Sequence, residues 1–295
     1  MCSMYKFFMN IFFLRICFFI LSVLQGSNAQ SQIVAFLSFP RDFSKMEVID
    51  FGNIRIWYAL NAVNINNPDT FDDLQCLEVG SHLSKYYSYF TYKSDSLCTE
   101  WRKQHKEAES APTRCFSGGK QNNKWSEYYY SDYIKDFSTG KLTQYTYMPR
   151  NISHSSYTED IPIPEWTLCE ETDTIINYLC QKATCSFRGR NFVAWFTPDV
   201  PINNGPWKFG GLPGLILKVY DLDSQYIFEC VKIENIKQGY SIKMYNSRAY
   251  TLTDRKKFQK LISNINNDYF KLAGWSFEGG RQPINIRSLP PLELE

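Results

Sequence analysis

The stretch from Phe187 to Asp221 constrains the fold more than any other part of the chain. Two runs rich in aromatic and β-branched residues flank a loop broken by Pro198, Pro201, Pro206 and Pro213 and by Gly205, Gly210, Gly211 and Gly214. After the loop, Leu215, Leu217 and Val219 alternate with Ile216, Lys218 and Tyr220, the period-2 pattern of a strand. Pro213 pre-sets φ for the second position of a turn and Gly214 supplies positive φ for the third, so Leu212–Leu215 is expected to form a type II turn. Gly211, Pro213 and Gly214 are therefore read first as turn residues. A phosphate cradle would need a helix directly after the glycines and a Lys-Ser or Lys-Thr pair, and neither is present.

Strand signals recur along the chain. Apolar or aromatic runs bounded by turn residues span 33–39, 54–60, 83–92, 125–130, 142–147, 166–169, 175–184, 191–197, 215–220 and 226–233. Aromatic residues make up 17% of the chain, which favours half-buried pleated surfaces. Segment 99–124 is polar and reads as an exposed loop or short helix. One amphipathic helix is expected near the C-terminus, with Thr253 as N-cap, Phe258, Leu261, Ile262, Ile265, Tyr269 and Leu272 on one face, and Gly274 as the stop. The tail from Arg281, carrying Pro283, Pro290 and Pro291, reads as extended. The fold class is mainly β: a large antiparallel sheet, curved or partly closed, with that one C-terminal helix.

Residues 1–29 read as a cleaved signal peptide. Lys6 precedes an apolar stretch from Ile11 to Leu24, and Ser27-Asn28-Ala29 offers small residues for cleavage. The stretch is short for a transmembrane helix, so no transmembrane span is expected in the mature chain, taken as one domain from 30 to 295. Losing Lys6 and Arg15 brings the 32 basic residues level with the 30 acidic ones. With no basic cluster besides, nucleic acid is excluded as a partner. Of nine cysteines, seven lie beyond the signal segment, and Cys98 with Cys115 is the candidate disulfide across a polar segment. Cys180 and Cys185, in one strand, would face opposite sides. No CxxC pair supports zinc or thiol-redox chemistry.

The run Gly211–Ile216, GLPGLI, resembles the signature of the GLPGLI family of secreted bacterial envelope proteins. The segment Trp166–Thr184, together with Gly80, the Ser84–Ser88 run and Asp95 upstream, is similar to the same family. Asp173 stands where the family usually has lysine and Asn177 where it usually has glycine, though asparagine tolerates left-handed backbone. The resemblance implies a mainly antiparallel β fold, by analogy an open half-barrel, and an envelope location. It carries over no activity, cofactor or catalytic residue.

The search for chemistry is largely negative. His82, His105 and His154 lack metal-ligand spacing, no GxSxG elbow occurs, and Asp221 and Asp223 begin a calcium-like loop without its glycine or terminal glutamate. Asn151-Ile152-Ser153 fits a glycosylation sequon, of little meaning in a bacterial envelope. No catalytic residue, metal or cofactor is assigned. Arg188 and Arg190 frame Gly189 in a hairpin turn, where arginines are usually solvated but can grip an anion bidentately. Trp195, Phe196, Trp207 and Phe209 form an aromatic set around the loop that reads first as core and second as a ligand platform. The leading expectation is a non-enzymatic binding or assembly module for an envelope protein, peptide or lipid. The rival is a hydrolase using a carboxylate pair such as Asp199 and Glu165.

Overall fold

Consecutive hairpins build the architecture, because most strand-forming runs are separated by only two to a few turn residues. In a computed structural model, residues 38–112, 114–115, 118–120, 124–274 and 289–295 are described. The signal segment, most of the 33–39 run and the start of the C-terminal tail lie outside them. Among these residues, twelve strands form one sheet in the order β12-β6-β5-β4-β3-β2-β1-β11-β10-β9-β8-β7, which does not close into a barrel.

Two antiparallel meanders make up this sheet. The first runs β1 (Met46–Leu60), β2 (Asp73–Gly80), β3 (Leu83–Ser88), β4 (Ser131–Asp136), β5 (Lys141–Thr146) and β6 (Ser155–Asp160). The second runs β7 (Thr167–Ile175), β8 (Tyr178–Phe187), β9 (Arg190–Thr197), β10 (Leu215–Asp221) and β11 (Ile227–Tyr245). β1 and β11 join the halves antiparallel, from Met46 opposite Tyr245 to Leu60 opposite Phe228. β12 (Thr251–Leu252) pairs parallel with β6, which makes the sheet mixed. Asn177 at φ 67 turns β7 into β8, and Arg188 and Gly189, both at positive φ, make the tight turn from β8 to β9.

Alternation gives the sheet two faces. Ile54, Ile56 and Tyr58 of β1 point into the main core with Leu77, Tyr86, Tyr133, Phe192 and Leu217. The β9–β10 loop crosses this inner face and buries Trp207, Phe209 and Leu212 in it, and Leu292 of the tail joins them. Helix α2 (Arg255–Leu272) covers β6 through Phe258, Ile262, Ile265 and Tyr269, with Phe258 packed 5.0 Å from the Tyr157 ring. Its N-cap is Asp254, one residue after the expected Thr253. No helix among the described residues is long and apolar enough to cross a membrane.

Helix α1 (Tyr89–Gln104) lies on the outer face and was not expected at this length. The 83–92 run instead splits at Ser88, whose hydroxyl accepts from the Thr91 amide and starts the helix. Periodicity hid this element because its buried face is half polar: Ser94, Asp95 and Thr99 accompany Phe90 and Cys98. The 125–130 run is not a strand either. The Ser126 hydroxyl and carbonyl take the amides of Tyr128, Tyr129 and Tyr130 into a turn, and β4 begins only at Ser131.

Candidate functional site

The β9–β10 loop is fastened to the inner face by buried polar side chains. Lys135 of β4 donates to Asn204 Oδ1 at 2.8 Å and to the Phe209 carbonyl at 2.6 Å, and burial lowers its pKa to about 7. Asn204 in turn donates to Ser84 Oγ at 2.8 Å. Lys208 is fully buried, donating to the Tyr157 hydroxyl at 2.6 Å and pairing with Glu159 at 2.8 Å and Glu293 at 2.5 Å. Trp166 Nε1 donates to the Gly210 carbonyl at 2.8 Å. Phe187, Phe192, Trp207 and Phe209 pack edge-on or tilted with ring centroids 4.8–5.9 Å apart, and half-buried Trp195 packs at the margin of the same core. Phe196 is buried with them.

The turn inside the loop closes differently from the expected type II geometry. The Gly214 amide donates to the Leu212 carbonyl, two residues back, and the Leu215 amide goes instead to the Val200 carbonyl. Pairing across the loop has taken the hydrogen bond that a type II turn would have used. Gly211 at φ +86 and Gly214 at φ +152 both need positive φ, and a Cβ on Gly214 would lie 2.1 Å from the Thr197 carbonyl oxygen.

The two arginines are not solvated. Arg188 pairs with Glu159 at 2.6 Å with a fifth of its side chain exposed. Arg190 is buried, pairing with Asp221 at 2.9 Å and donating to Gln225 Oε1 at 2.9 Å and to the Pro291 carbonyl. The tail from Pro290 to Leu294 covers this turn: the Leu294 amide donates to the Arg188 carbonyl at 3.0 Å, and the Leu292 amide to the Tyr128 hydroxyl at 2.6 Å. An arginine that already gives four hydrogen bonds to a neighbouring strand, the turn after it and the tail has little left for an anion. Asp199 and Glu165 are both exposed, and no interaction joins them among the described residues.

The outer face carries a feature that sequence reasoning missed: an open cleft of about 470 Å³ beside α1. Its floor is one row across three strands, Glu78 of β2, Arg55 of β1 and Glu234 of β11, set by the register that places Arg55 opposite both carboxylates. Arg55 Nε meets Glu78 Oε1 at 3.0 Å, and its guanidinium lies 3.8 Å from the centre of the Tyr240 ring. Glu234 accepts from Trp57 Nε1 at 2.8 Å and pairs with Lys232. Burial raises the Glu78 pKa, whereas the Lys232 hydrogen bond, then that of Trp57, lowers the Glu234 pKa.

Aromatic rings wall this cleft. Trp57 meets Tyr89 edge-on at 4.7 Å, Tyr89 stacks near Tyr92 at 6.5 Å, and Tyr92 lies 5.1 Å from Tyr87. Trp57, Tyr89 and Tyr92 are only half-buried. Behind them a fully paired buried network pins α1 to the sheet: Arg41 holds Asp95 at 2.6 Å and Asp132 at 3.1 Å, and Lys85 holds Asp132 at 3.2 Å and the Lys243 carbonyl at 2.7 Å. The wall is therefore set in place before any ligand arrives. The only sequence signal for it was the run of aromatics from Tyr86 to Tyr92, which read as strand.

Cys98 and Cys115 face each other with sulfurs 3.1 Å apart, both as free thiols. A disulfide needs about 2.05 Å between sulfurs, so a shift of roughly 1 Å suffices. In protein recovered from an oxidising compartment, non-reducing peptide mapping is expected to find the two joined; free thiols at both positions would exclude the pairing.

The profile of a family described as "Protein of unknown function (Porph_ging)" matches residues 188–218, from the β8–β9 turn into β10. No curated protein matches the chain. Among solved structures, the chain is similar to PNGF-II in its P21 crystal form at 14% identity and a TM-score of 0.45, over 73% of this chain and 34% of that one. The C2 form gives 13% identity and a TM-score of 0.43, over 72% and 33%. An uncharacterized conserved protein from Thermus thermophilus gives 9% identity and a TM-score of 0.35, over 69% and 91%. The chain thus spans about a third of the PNGF-II chain.

Proposed function

We propose that this chain is an exported cell-envelope protein, related to the GLPGLI family, that acts as a non-enzymatic binding module through the outer-face cleft. The observation that carries the binding role is the half-buried Trp57–Tyr89–Tyr92 wall, held rigid by the buried Arg41–Asp95–Asp132–Lys85 network and open to solvent. Half-buried aromatics over a few fixed polar groups are the usual make-up of a ligand site. By contrast, the aromatic residues of the β8–β10 region pack into the core, Arg188 pairs with Glu159, and Arg190 holds the tail. Export rests on the signal-like segment 1–29 and on the GLPGLI resemblance, with which the match of the Porph_ging profile at 188–218 is compatible.

A catalytic reading finds a better pair than Asp199 and Glu165 in Glu78 and Glu234, whose surroundings push their pKa values in opposite directions. The Arg55 contact weighs against it, because it occupies Glu78 Oε1 and opposes the effect of burial by favouring the ionised carboxylate. The test combines fractionation with capture. The mature chain is expected to begin at Gln30 in the envelope fraction, and cross-linking there is expected to trap a partner that Tyr89→Ala loses. A retained Met1, a lipid on Cys17, or capture indifferent to Tyr89→Ala would overturn the reading.

A further inference from the structure

The cleft also constrains the chemistry of what it binds. Its lining charges balance: Arg55 and Lys243 against Glu78 and Glu234. A cationic ligand finds the best π faces already taken, that of Tyr240 by Arg55 and that of Tyr87 by Lys85 at 4.3 Å. An anionic ligand meets two carboxylates in the floor. A purely apolar chain would have to strip water from that same charged floor, which is costly without compensating hydrogen bonds.

A neutral ligand with one apolar face and many hydroxyls meets none of these penalties. Lys85 also lies 5.7 Å from the centre of the Tyr92 ring and Phe43 packs 4.6 Å from it, so the remaining aromatic surface belongs to Trp57 and Tyr89, and the Tyr89 and Tyr92 hydroxyls have no hydrogen-bond partner among the described residues. Arg55 gives Nε to Glu78 and lies on Tyr240, and Glu78 takes that bond at Oε1, so further guanidinium N–H groups and the second carboxylate oxygen can meet adjacent hydroxyls. The C–H face of a pyranose ring suits the first surface and its vicinal hydroxyls suit the second.

We propose that the cleft binds a neutral saccharide, a sugar ring lying against Trp57 and Tyr89, beside the Tyr92 hydroxyl, with its own hydroxyls on Arg55 and Glu78. This rests on the cleft being the binding site, as proposed above, and adds the ligand class. A proline-rich peptide, which also favours aromatic grooves, fits less well because its rings offer no hydroxyls to the charged floor.

The experiment titrates the mature chain with cello-, xylo-, manno-, malto- and chitohexaose, following tryptophan fluorescence and calorimetry, beside a proline decapeptide. At least one hexasaccharide is expected to saturate with a Kd of about 1 mM or tighter, and Trp57→Ala and Tyr89→Ala are each expected to weaken it about tenfold or more. Melting curves check that the variants fold; if Trp57→Ala does not, Trp57→Phe takes its place, with a smaller but measurable loss. Saturation by none of the five sugars, or binding unaffected by both variants, overturns the saccharide assignment. Binding of the decapeptide alone, lost in Tyr89→Ala, also overturns it but leaves the cleft as a peptide site. If the variants change neither sugar binding nor capture of an envelope partner, the cleft itself is excluded.

Discussion

Gly214→Ala is expected to destabilise the protein nearly as much as Gly214→Val, because the first carbon of any side chain meets backbone. A Cβ there lies 2.1 Å from the Thr197 oxygen, 2.7 Å from its carbonyl carbon and 3.0 Å from Pro198 Cα, at φ +152. None of these atoms is the far end of a flexible side chain, so β9 and the start of the loop must move apart. The strained backbone alone costs about 1–3 kcal/mol, and the displaced pairing at Leu215 adds to it. A total of roughly 3–5 kcal/mol is the expected range for such a backbone clash, lowering the melting temperature by about 6–20 °C in a chain this size. Pro213→Ala is expected to cost under about 1 kcal/mol, since it mainly frees the unfolded chain. A tolerated Gly214→Ala would show that the close approach of Gly214 to Thr197 is wrong.

Arg190→Ala is expected to be comparably damaging, and for an electrostatic reason. It leaves Asp221 buried and uncompensated, and it removes the donors that hold Gln225 and the Pro291 carbonyl. Removing one partner of a buried pair typically costs about 3–5 kcal/mol. Arg190→Lys is expected to rescue little, because an ammonium cannot span three acceptors that a planar fork meets together. Arg188→Gln, whose pair with Glu159 is partly open to water, is expected to stay within about 1 kcal/mol. Urea unfolding of the three variants checks the order, and protease cleavage of the C-terminal tail in Arg190→Ala checks the cause. An Arg190→Ala variant as stable as Arg188→Gln would mean that the pair is not formed.

The contrast between these arginines shows where sequence reading succeeded. β10 was legible because Leu215, Leu217 and Val219 alternate cleanly, and α2 because Phe258, Ile262, Ile265 and Tyr269 mark one helical stripe. β2 and β4 were not, since Asp73, Gln75, Glu78, Asp132 and Lys135 are buried there and erase the alternation. α1 failed in the same way, through Asp95 and Thr99. Buried polar residues are satisfied by partners far away in sequence, such as Arg41 for Asp95, and those partners cannot be read locally. Arg190 shares that fate, because the tail that buries it lies 101 residues downstream. The outer cleft draws Arg55, Glu78, Tyr89 and Glu234 from four elements, and only the β1–β11 pairing brings the first and last together.

That pairing also sets the order of assembly. A chain made from its N-terminus completes β1 through β6 while the strand that must lie beside β1 has yet to emerge. Met46–Leu60 therefore waits, its outer row of amides and carbonyls unpaired, until Phe228–Tyr245 arrives. Closing so long a loop adds little to the equilibrium cost, since loop entropy grows only with the logarithm of length. Its effect is on timing: contacts between such distant segments slow folding and lengthen the life of a half-sheet with a sticky border. Truncations ending before β11 are accordingly expected to associate with one another, through a strand that the finished protein keeps at its centre.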